Sequence, residues 1–195
     1  MTAFETLLAL RAAAQAEGIP TLRDKTFSRL IKEVRARGAE RILEIGAAVG
    51  ISGAAMLLAS ENARLVTVEK RAEYADRARE TFRALSLDGR AEVLEGDADE
   101  ILPLLSGGYD FILLDGPKGK YLSYLPHLKA LLKTGGALFA DNVSLREYGL
   151  KHSERRNRTA KRNMEAFCAA VFSDGDFSAQ RYEEEDGVLL AEKIR

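Results

Sequence analysis

Two short polar groups in the second half of the chain carry side chains that could do chemistry. Asp115 follows one apolar run, with Lys118 three residues later, and Asp141 and Asn142 follow the next apolar run. If the two runs are neighbouring strands, two carboxylates and one amide oxygen meet at one edge of a sheet. Such oxygen ligands suit Mg²⁺ and similar hard cations. The sequence therefore predicts a metal site formed by Asp115, Asp141 and Asn142.

Lys118 stands at an unusual place in this pattern. Pro117, the residue before it, suits the first turn of a helix. A lysine at that position faces the positive end of the helix dipole, which is unfavourable for a cation. Its presence there indicates a functional role for the amine.

A second candidate site lies in the first half of the chain, where an apolar run breaks into Gly46 and Gly50. Glycine lets the backbone come close to a ligand, and the free N–H groups at a helix start attract polar or anionic groups. The pattern Gly-x-x-x-Gly, preceded by Glu44, differs from the Gly-x-Gly-x-x-Gly of dinucleotide sites, which disfavours NAD. We expect a nucleotide-like cofactor near Glu44, Gly46, Gly50 and Ser52. A glycine turn without a ligand is the open alternative.

Acids follow two further apolar runs, Glu69 after 65–68 and Asp97 after 91–94. Ligands of doubly wound sheets bind outside the carboxyl ends of the strands, so Glu69 is predicted to accept hydrogen bonds from two ribose hydroxyls. Asp97, with Ala98 beside it, has two interpretations. It either accepts a hydrogen bond from an adenine amino group or only caps the following helix.

The glycine turn looks like the first motif of the class I methyltransferases, which bind S-adenosylmethionine (SAM). Asp115 with Lys118, followed by Asp141-Asn142, resembles the metal-dependent O-methyltransferases of the catechol O-methyltransferase type. The resemblance covers about Leu43 to Val143. It implies SAM as cofactor, with Asp115 also among its contacts. It further implies Mg²⁺, Mn²⁺ or Ca²⁺ on the three predicted ligands, and Lys118 as the general base.

One departure from that family concerns the substrate pocket. Gly116-Pro117 replaces the bulkier residues of the catechol enzyme itself, so the pocket is expected to differ. Two rival hypotheses stay open: a dehydrogenase that uses another adenosine cofactor, and a binding module without turnover on a degenerate methyltransferase fold. The intact set of the three metal ligands and Lys118 argues against the second.

Hydrophobic periodicity predicts the elements that position these residues. Strand-like runs alternate with helical segments from Arg41 onward, as in a doubly wound, mostly parallel α/β sheet with helices on both faces. The predicted strands are 42–45, 65–68, 91–94, 111–114 and 137–140, and the helices between and after them are 52–60, 71–87, 98–105, 121–133 and 154–172. Two helices, 2–17 and 24–37, come first, and a hairpin of 177–182 and 188–194 comes last. The resemblance implies a Rossmann-like, seven-stranded sheet with its last strand antiparallel.

The 195 residues suit one methyltransferase domain with N-terminal helices (1–38), a cofactor and metal half (41–143) and a C-terminal part (144–195). The net charge is −1, so a polyanionic partner would need a local basic patch. The single cysteine, Cys168, excludes an internal disulfide and a cysteine-based zinc site. Neither a signal peptide nor an apolar run of the roughly 20 residues that span a bilayer is seen, so the cytoplasm is the expected location.

A basic segment, 151–162, is the strongest local charge bias of the chain. It is either the solvated face of a helix or a patch that contacts phosphates. The pattern from Arg156 to Met164 resembles that of bacterial tRNA hydroxyuridine O-methyltransferases, and 5-hydroxyuridine offers a hydroxyl beside a carbonyl. The expected acceptor is therefore tRNA, contacted by Arg155, Arg156 and Arg158, or else a small phenol. Resemblance to the bacterial relatives also implies a homodimer.

Overall fold

The computed structural model describes residues 2–145 and 154–195, with side chains in the second range from Arg158 onward. The chain forms two compact units, Met1–Ile101 and Leu102–Arg195. The single domain 1–195 and its three parts stay a prediction. In the described part of the chain, no helix combines the length and the apolar character needed to cross a membrane.

The first unit contains parallel strands with helices packed around them. Its helices are α1 (Ala3–Ala16), α2 (Asp24–Arg37), α3 (Ile51–Ala59), α4 (Ala72–Ala84) and the short α5 (Ala98–Ile101). Its strands are β1 (Arg41–Ile45), β2 (Arg64–Glu69) and β3 (Ala91–Glu95), and β2 pairs in parallel with the other two. Both α1 and α2 contact α3.

Local signals fix the ends of the first two helices. The Thr2 hydroxyl accepts a hydrogen bond from the Glu5 N–H at 3.2 Å, and the Glu5 carboxylate accepts one from the Thr2 N–H at 2.7 Å. This reciprocal capping box confirms the predicted start of α1. Gly38 has a left-handed conformation (φ 56°) and ends α2, as its sequence position predicts.

The described residues of the second unit form the remaining four strands and two α-helices. Its elements are β4 (Tyr109–Leu114), α6 (Tyr121–Leu131), β5 (Leu132–Asp141), α7 (Glu154–Ser173), β6 (Phe177–Tyr182) and β7 (Val188–Lys193). Strands β4 and β5 are parallel, whereas β7 is antiparallel to both β5 and β6. The strand order of the seven-stranded sheet is β3-β2-β1-β4-β5-β7-β6. The predicted fold class is therefore confirmed.

The boundary between α6 and β5 corrects the sequence prediction. The predicted helix 121–133 ends at Leu131, and the predicted strand 137–140 begins already at Leu132. Gly136 explains the difference, because a Cβ at that position would lie 2.9 Å from the carbonyl oxygen of Tyr109 on β4. The glycine reflects a close approach of two strands and not a loop.

The other predicted helices differ from the structure mainly at their ends. The predicted helix 71–87 ends at Ala84, and the predicted helix 98–105 is α5 followed by a 3₁₀ turn, Leu102–Leu104. Helix ends are the least distinct part of a hydrophobic pattern, because the last turn often tightens or frays.

Candidate active site

Three predicted site residues meet in the second unit. Asp115 follows β4 and Asp141 ends β5, and the parallel register of Leu114 with Ala140 places both acids at the same end of adjacent strands. The Lys118 ammonium donates a hydrogen bond to Asp115 Oδ1 at 2.7 Å. Asn142 follows Asp141 with a left-handed backbone (φ 58°), a conformation that asparagine tolerates better than most residues.

Tyr121 is a further member of this group, and the sequence analysis did not include it among the site residues. Its hydroxyl accepts a hydrogen bond from Lys118 Nζ at 2.8 Å. The same hydroxyl lies 2.8 Å from the carbonyl oxygen of Leu114 and 3.2 Å from that of Asp141. The spacing of three residues between Lys118 and Tyr121 was a usable signal, since residues three apart share a face of a helical turn. We define Asp115, Lys118, Tyr121 and Asp141 as the acid–lysine cluster.

The acid–lysine cluster contains one cation against two carboxylates. Burial by itself lowers the pKa of Lys118, but the charge of Asp115, together with Tyr121 and Asp141, outweighs it and raises that pKa above its ordinary value. Burial, and then the charge of Asp115, raises the pKa of Asp141, and Lys118 opposes only part of this rise. In this state Lys118 is protonated, and the ionised form of Asp141 is disfavoured.

The donor set of this cluster fits a hard cation. Asp115 and Asp141 lie close enough for their charges to interact, and the Asn142 amide oxygen comes from the next residue. Across residues 2–145 and 154–195, no group of three or more His, Cys, Asp or Glu side chains could hold a metal ion. The predicted ligand set contains only two carboxylates, so it is not a group of that kind. A metal site with an amide as third ligand stays a prediction.

The predicted cofactor turn of the first unit requires its two glycines. Gly46 and Gly50 both have positive φ, 98° and 81°. A Cβ at Gly50 would lie 3.1 Å from the backbone Cα of Ala78 on α4, so the start of α3 packs tightly against that helix. The Gly46 N–H donates to the Val68 carbonyl of β2 at 2.9 Å, which links the start of the turn to that strand.

Glu69 holds this turn in place. Its Oε2 accepts a hydrogen bond from the Ala48 N–H, and its Oε1 accepts one from the Arg71 N–H, both at 2.9 Å. Glu69 thus connects the glycine turn to the start of α4. Each carboxylate oxygen retains a second lone pair, so the predicted contact with ribose hydroxyls is chemically compatible and stays a prediction.

Glu44 lies behind the turn and not at its surface. The side chain is fully buried. Its Oε2 accepts a hydrogen bond from the Thr67 hydroxyl at 2.6 Å, and its Oε1 accepts one from the Ser52 hydroxyl. Glu44 therefore orients Ser52, which is only half-buried. The direct cofactor contacts predicted for both residues are untested.

Asp97 caps α5, which was one of its two interpretations. Its Oδ1 accepts a hydrogen bond from the Asp99 N–H at 3.0 Å, and its Oδ2 accepts one from Lys70 Nζ at 2.7 Å. Ala98 is buried. The contact of Asp97 with an adenine amino group stays a prediction.

The described part of the basic segment lies on α7. Residues 151–153 and the side chains of Arg155 and Arg156 are outside the described part of the chain. Arg158, Lys161 and Arg162 are exposed. Helix α7 packs against the 3₁₀ turn Lys118–Lys120, so these three cations belong to a helix that contacts the turn carrying Lys118.

A family model described as O-methyltransferase matches residues 15–194. The chain belongs to the O-methyltransferase family. Its identity to catechol O-methyltransferase from Mycobacterium tuberculosis is 31% over 144 residues, 70% of this chain and 64% of that protein. Its identity to caffeoyl-CoA O-methyltransferase from Medicago sativa is 30% over 127 residues, 60% of this chain and 49% of that protein. This chain thus spans less than two thirds of the length of each of these curated relatives.

Solved structures of other O-methyltransferases have the same fold. The enzyme from Bacillus cereus in complex with SAH superposes with a TM-score of 0.83 and 26% identity, covering 98% of this chain and 90% of that one. TomG from Streptomyces achromogenes, involved in tomaymycin synthesis and bound to SAM, gives a TM-score of 0.85 with 24% identity and coverages of 98% and 90%. At that identity TomG shows the fold alone.

The raised pKa of Asp141 predicts how the stability of the metal-free protein depends on pH. The ionised form is disfavoured in the folded chain. The charge of Asp141 therefore destabilises the folded chain above the raised pKa. This effect is lost as the pH falls toward the ordinary pKa of an aspartate, about 3.9. In EDTA, Asp141→Asn should raise the free energy of unfolding by on the order of 1 kcal/mol at about pH 8 and by less at about pH 5. Urea denaturation measures both.

Asp174 offers a matched control in the same unit. Its hydrogen bond from Lys129 lowers its pKa, so the carboxylate stays ionised across the whole interval. Asp174→Asn should therefore destabilise the protein equally at both pH values. If Asp141→Asn also gives equal effects at the two pH values, Asp141 does not carry the unfavourable charge assigned to it.

Proposed function

We propose that the protein transfers the methyl group of SAM to a hydroxyl that stands beside a second oxygen atom, with a divalent cation bound by Asp115, Asp141 and Asn142. The observation that carries the proposal is the acid–lysine cluster, in which a buried lysine is hydrogen-bonded at the edge of a two-carboxylate site. Membership of the O-methyltransferase family supports the reaction class.

The glycine turn would bind the cofactor. The turn has positive φ at Gly46 and Gly50 and is held by a hydrogen bond to Glu69, and the N–H groups at the start of α3 would attract polar groups of the ligand. Ser52 would contact the methionine end, while Glu69 and Asp97 would contact the ribose and the adenine. A related enzyme of the same fold has been solved with SAH.

The cluster carries an excess of negative charge that suits a divalent cation. Such a cation lowers the pKa of a coordinated hydroxyl, as it does for bound water. The ligands would be Asp115, Asp141 and the Asn142 amide oxygen. The raised pKa of Asp141 supports this assignment, because the protein does not itself neutralise this carboxylate fully.

Lys118 would accept the proton of the substrate hydroxyl. The charge of Asp115 is the main influence that keeps the buried amine protonated. Burial is already the largest single influence on this pKa, and once the charge of Asp115 is neutralised it would lower the pKa of Lys118 toward the range of a general base. SAM, when bound, would supply the methyl group, and the oxygen freed by Lys118 would receive it without a covalent enzyme intermediate.

The acceptor that we favour is 5-hydroxyuridine in tRNA. Three exposed cations, Arg158, Lys161 and Arg162, lie on the helix that contacts the turn of Lys118, and such residues suit phosphate contacts. The alternative is a small catechol or related phenol. It is favoured by the names of the curated relatives, which include catechol and caffeoyl-CoA O-methyltransferases.

A methyl-transfer assay tests the reaction class and its cation dependence together. The protein is incubated with labelled SAM and Mg²⁺, and with either hydroxyuridine-containing tRNA or a panel of catechols. We expect label transfer to an oxygen of one acceptor, loss of transfer in excess EDTA, and recovery when Mg²⁺ is restored. Transfer that persists in EDTA would refute the cation. SAM binding without transfer to either acceptor class would favour a binding module instead.

The two candidate acceptors should respond differently when the three exposed cations of α7 are removed. Replacing Arg158, Lys161 and Arg162 by Ala should weaken tRNA methylation and reduce the salt dependence of tRNA binding, by about 0.7–0.9 in the log–log slope for each lost phosphate contact. Methylation of a small catechol should be unaffected, because its binding needs no phosphate contact. Filter binding at several salt concentrations and the label assay measure the two effects.

A control variant removes the same number of positive charges from the first unit. Lys32, Arg35 and Arg83 are exposed residues of the first unit. Their joint replacement by Ala removes the same number of charges and should leave tRNA methylation close to that of the wild type. If tRNA methylation falls equally in the two triple variants, the net charge of the protein attracts the RNA, and not the three cations of α7.

A further inference from the structure

We propose that Tyr121 is a positioning residue that aims the Lys118 amine for proton transfer. The inference rests on the proposed function, in which Lys118 is the general base. It starts from the hydroxyl of Tyr121, which is hydrogen-bonded to Lys118 Nζ at 2.8 Å and lies within hydrogen-bonding distance of two backbone carbonyl oxygens.

The number of protons on each group decides which partner donates in these hydrogen bonds. A phenol has a single O–H proton, and a carbonyl oxygen can only accept. The Tyr121 proton is therefore committed to the Leu114 carbonyl at 2.8 Å, or shared with the Asp141 carbonyl at 3.2 Å. What the Tyr121 oxygen offers to Lys118 is a lone pair, so it accepts a hydrogen bond from the amine.

This arrangement aims the amine in its reactive form. A neutral amine has two N–H bonds and one lone pair. Tyr121 and Asp115 are acceptors for two N–H groups of Lys118, at 2.8 and 2.7 Å. With both N–H bonds directed at these acceptors, the lone pair has one remaining direction, and it takes the substrate proton there. The product of that step is the Lys118 ammonium, whose third N–H points along the same direction.

Packing prevents Tyr121 from leaving this position. The side chain is fully buried. Its ring meets the Phe167 ring of α7 edge to face, with centroids 5.3 Å apart. Lys118 Nζ also lies 5.1 Å from the centroid of the Tyr121 ring. Because the carbonyls of Leu114 and Asp141 stand at the ends of β4 and β5, the hydroxyl ties the lysine to the strands that carry the two acids.

The variant Tyr121→Phe removes the hydroxyl and keeps the ring. With Mg²⁺, SAM and either a catechol such as 3,4-dihydroxybenzoic acid or hydroxyuridine-containing tRNA, we expect kcat to fall about tenfold or more, as for a lost hydrogen bond to a charged group. KM for SAM and for the acceptor should change by less than about threefold, because binding groups are untouched. Tyr109→Phe is the control, since Tyr109 is a buried tyrosine at the opposite end of β4.

A double-variant cycle separates positioning from a general loss of structure. If Tyr121 acts through Lys118, adding Tyr121→Phe to Lys118→Met should lower kcat no further. A further drop of about tenfold in the double variant would overturn the inference. Wild-type kcat in Tyr121→Phe would also overturn it. Wild-type kcat in Lys118→Met would instead refute the base of the proposed function, which makes the two failures distinguishable.

A second measurement needs no acceptor. Brief acetylation with acetic anhydride, followed by mass spectrometry, reports how readily each lysine reacts in the folded protein. In Tyr121→Phe, Lys118 should be labelled at least about twice as fast relative to exposed Lys70, because one of its two hydrogen-bonding restraints is gone. In Tyr109→Phe the ratio should equal that of the wild type. An unchanged ratio in Tyr121→Phe would show that the hydroxyl does not hold the amine.

Discussion

The second unit depends on the balance of charge in the acid–lysine cluster, where one buried lysine stands against two carboxylates. Lys118 is stabilised as a cation by Asp115, while Asp115 in turn disfavours the ionised form of Asp141. A single ammonium cannot satisfy both acids, and burial makes the imbalance costly. In the function that we propose, a group that neutralises Asp115 would also release the Lys118 amine to act as a base.

The first unit depends on buried acids in a different way. Glu69 and Glu44 are both buried, yet each accepts hydrogen bonds on both of its oxygens. These partners are backbone N–H groups and hydroxyls, and through them the two carboxylates hold the glycine turn. A charged group that is fully hydrogen-bonded can remain buried at a tolerable cost. The turn that we propose for the cofactor is thus held by hydrogen bonds within the protein itself.

Much of the fold could be predicted from the sequence because its signals are local. The capping box of Thr2 and Glu5, the glycine that ends α2 and the apolar runs of the strands each involve residues close together in the chain. The acids at the strand ends could also be predicted, since parallel strands bring their carboxyl ends to one edge. The start of β5 was missed because the close approach of Gly136 to Tyr109 is a contact across strands.

The unpredicted part of the site depends on long-range contacts. Tyr121 belongs to this part, because its hydroxyl meets carbonyls seven and twenty residues away in the chain. The full burial of Glu44 likewise follows from Thr67 on the neighbouring strand. No periodicity or spacing encodes such partners, which become visible only once the strands are paired.

The most direct test of the account is a crystal structure of the protein grown with Mn²⁺ and SAH, with data collected at a wavelength where manganese scatters anomalously. We expect one strong anomalous peak coordinated by oxygens of Asp115, Asp141 and Asn142, with the Tyr121 hydroxyl still hydrogen-bonded to Lys118. A crystal that contains SAH but shows no anomalous peak at these three residues would contradict the central claim that the acid–lysine cluster is a divalent-cation site for methyl transfer.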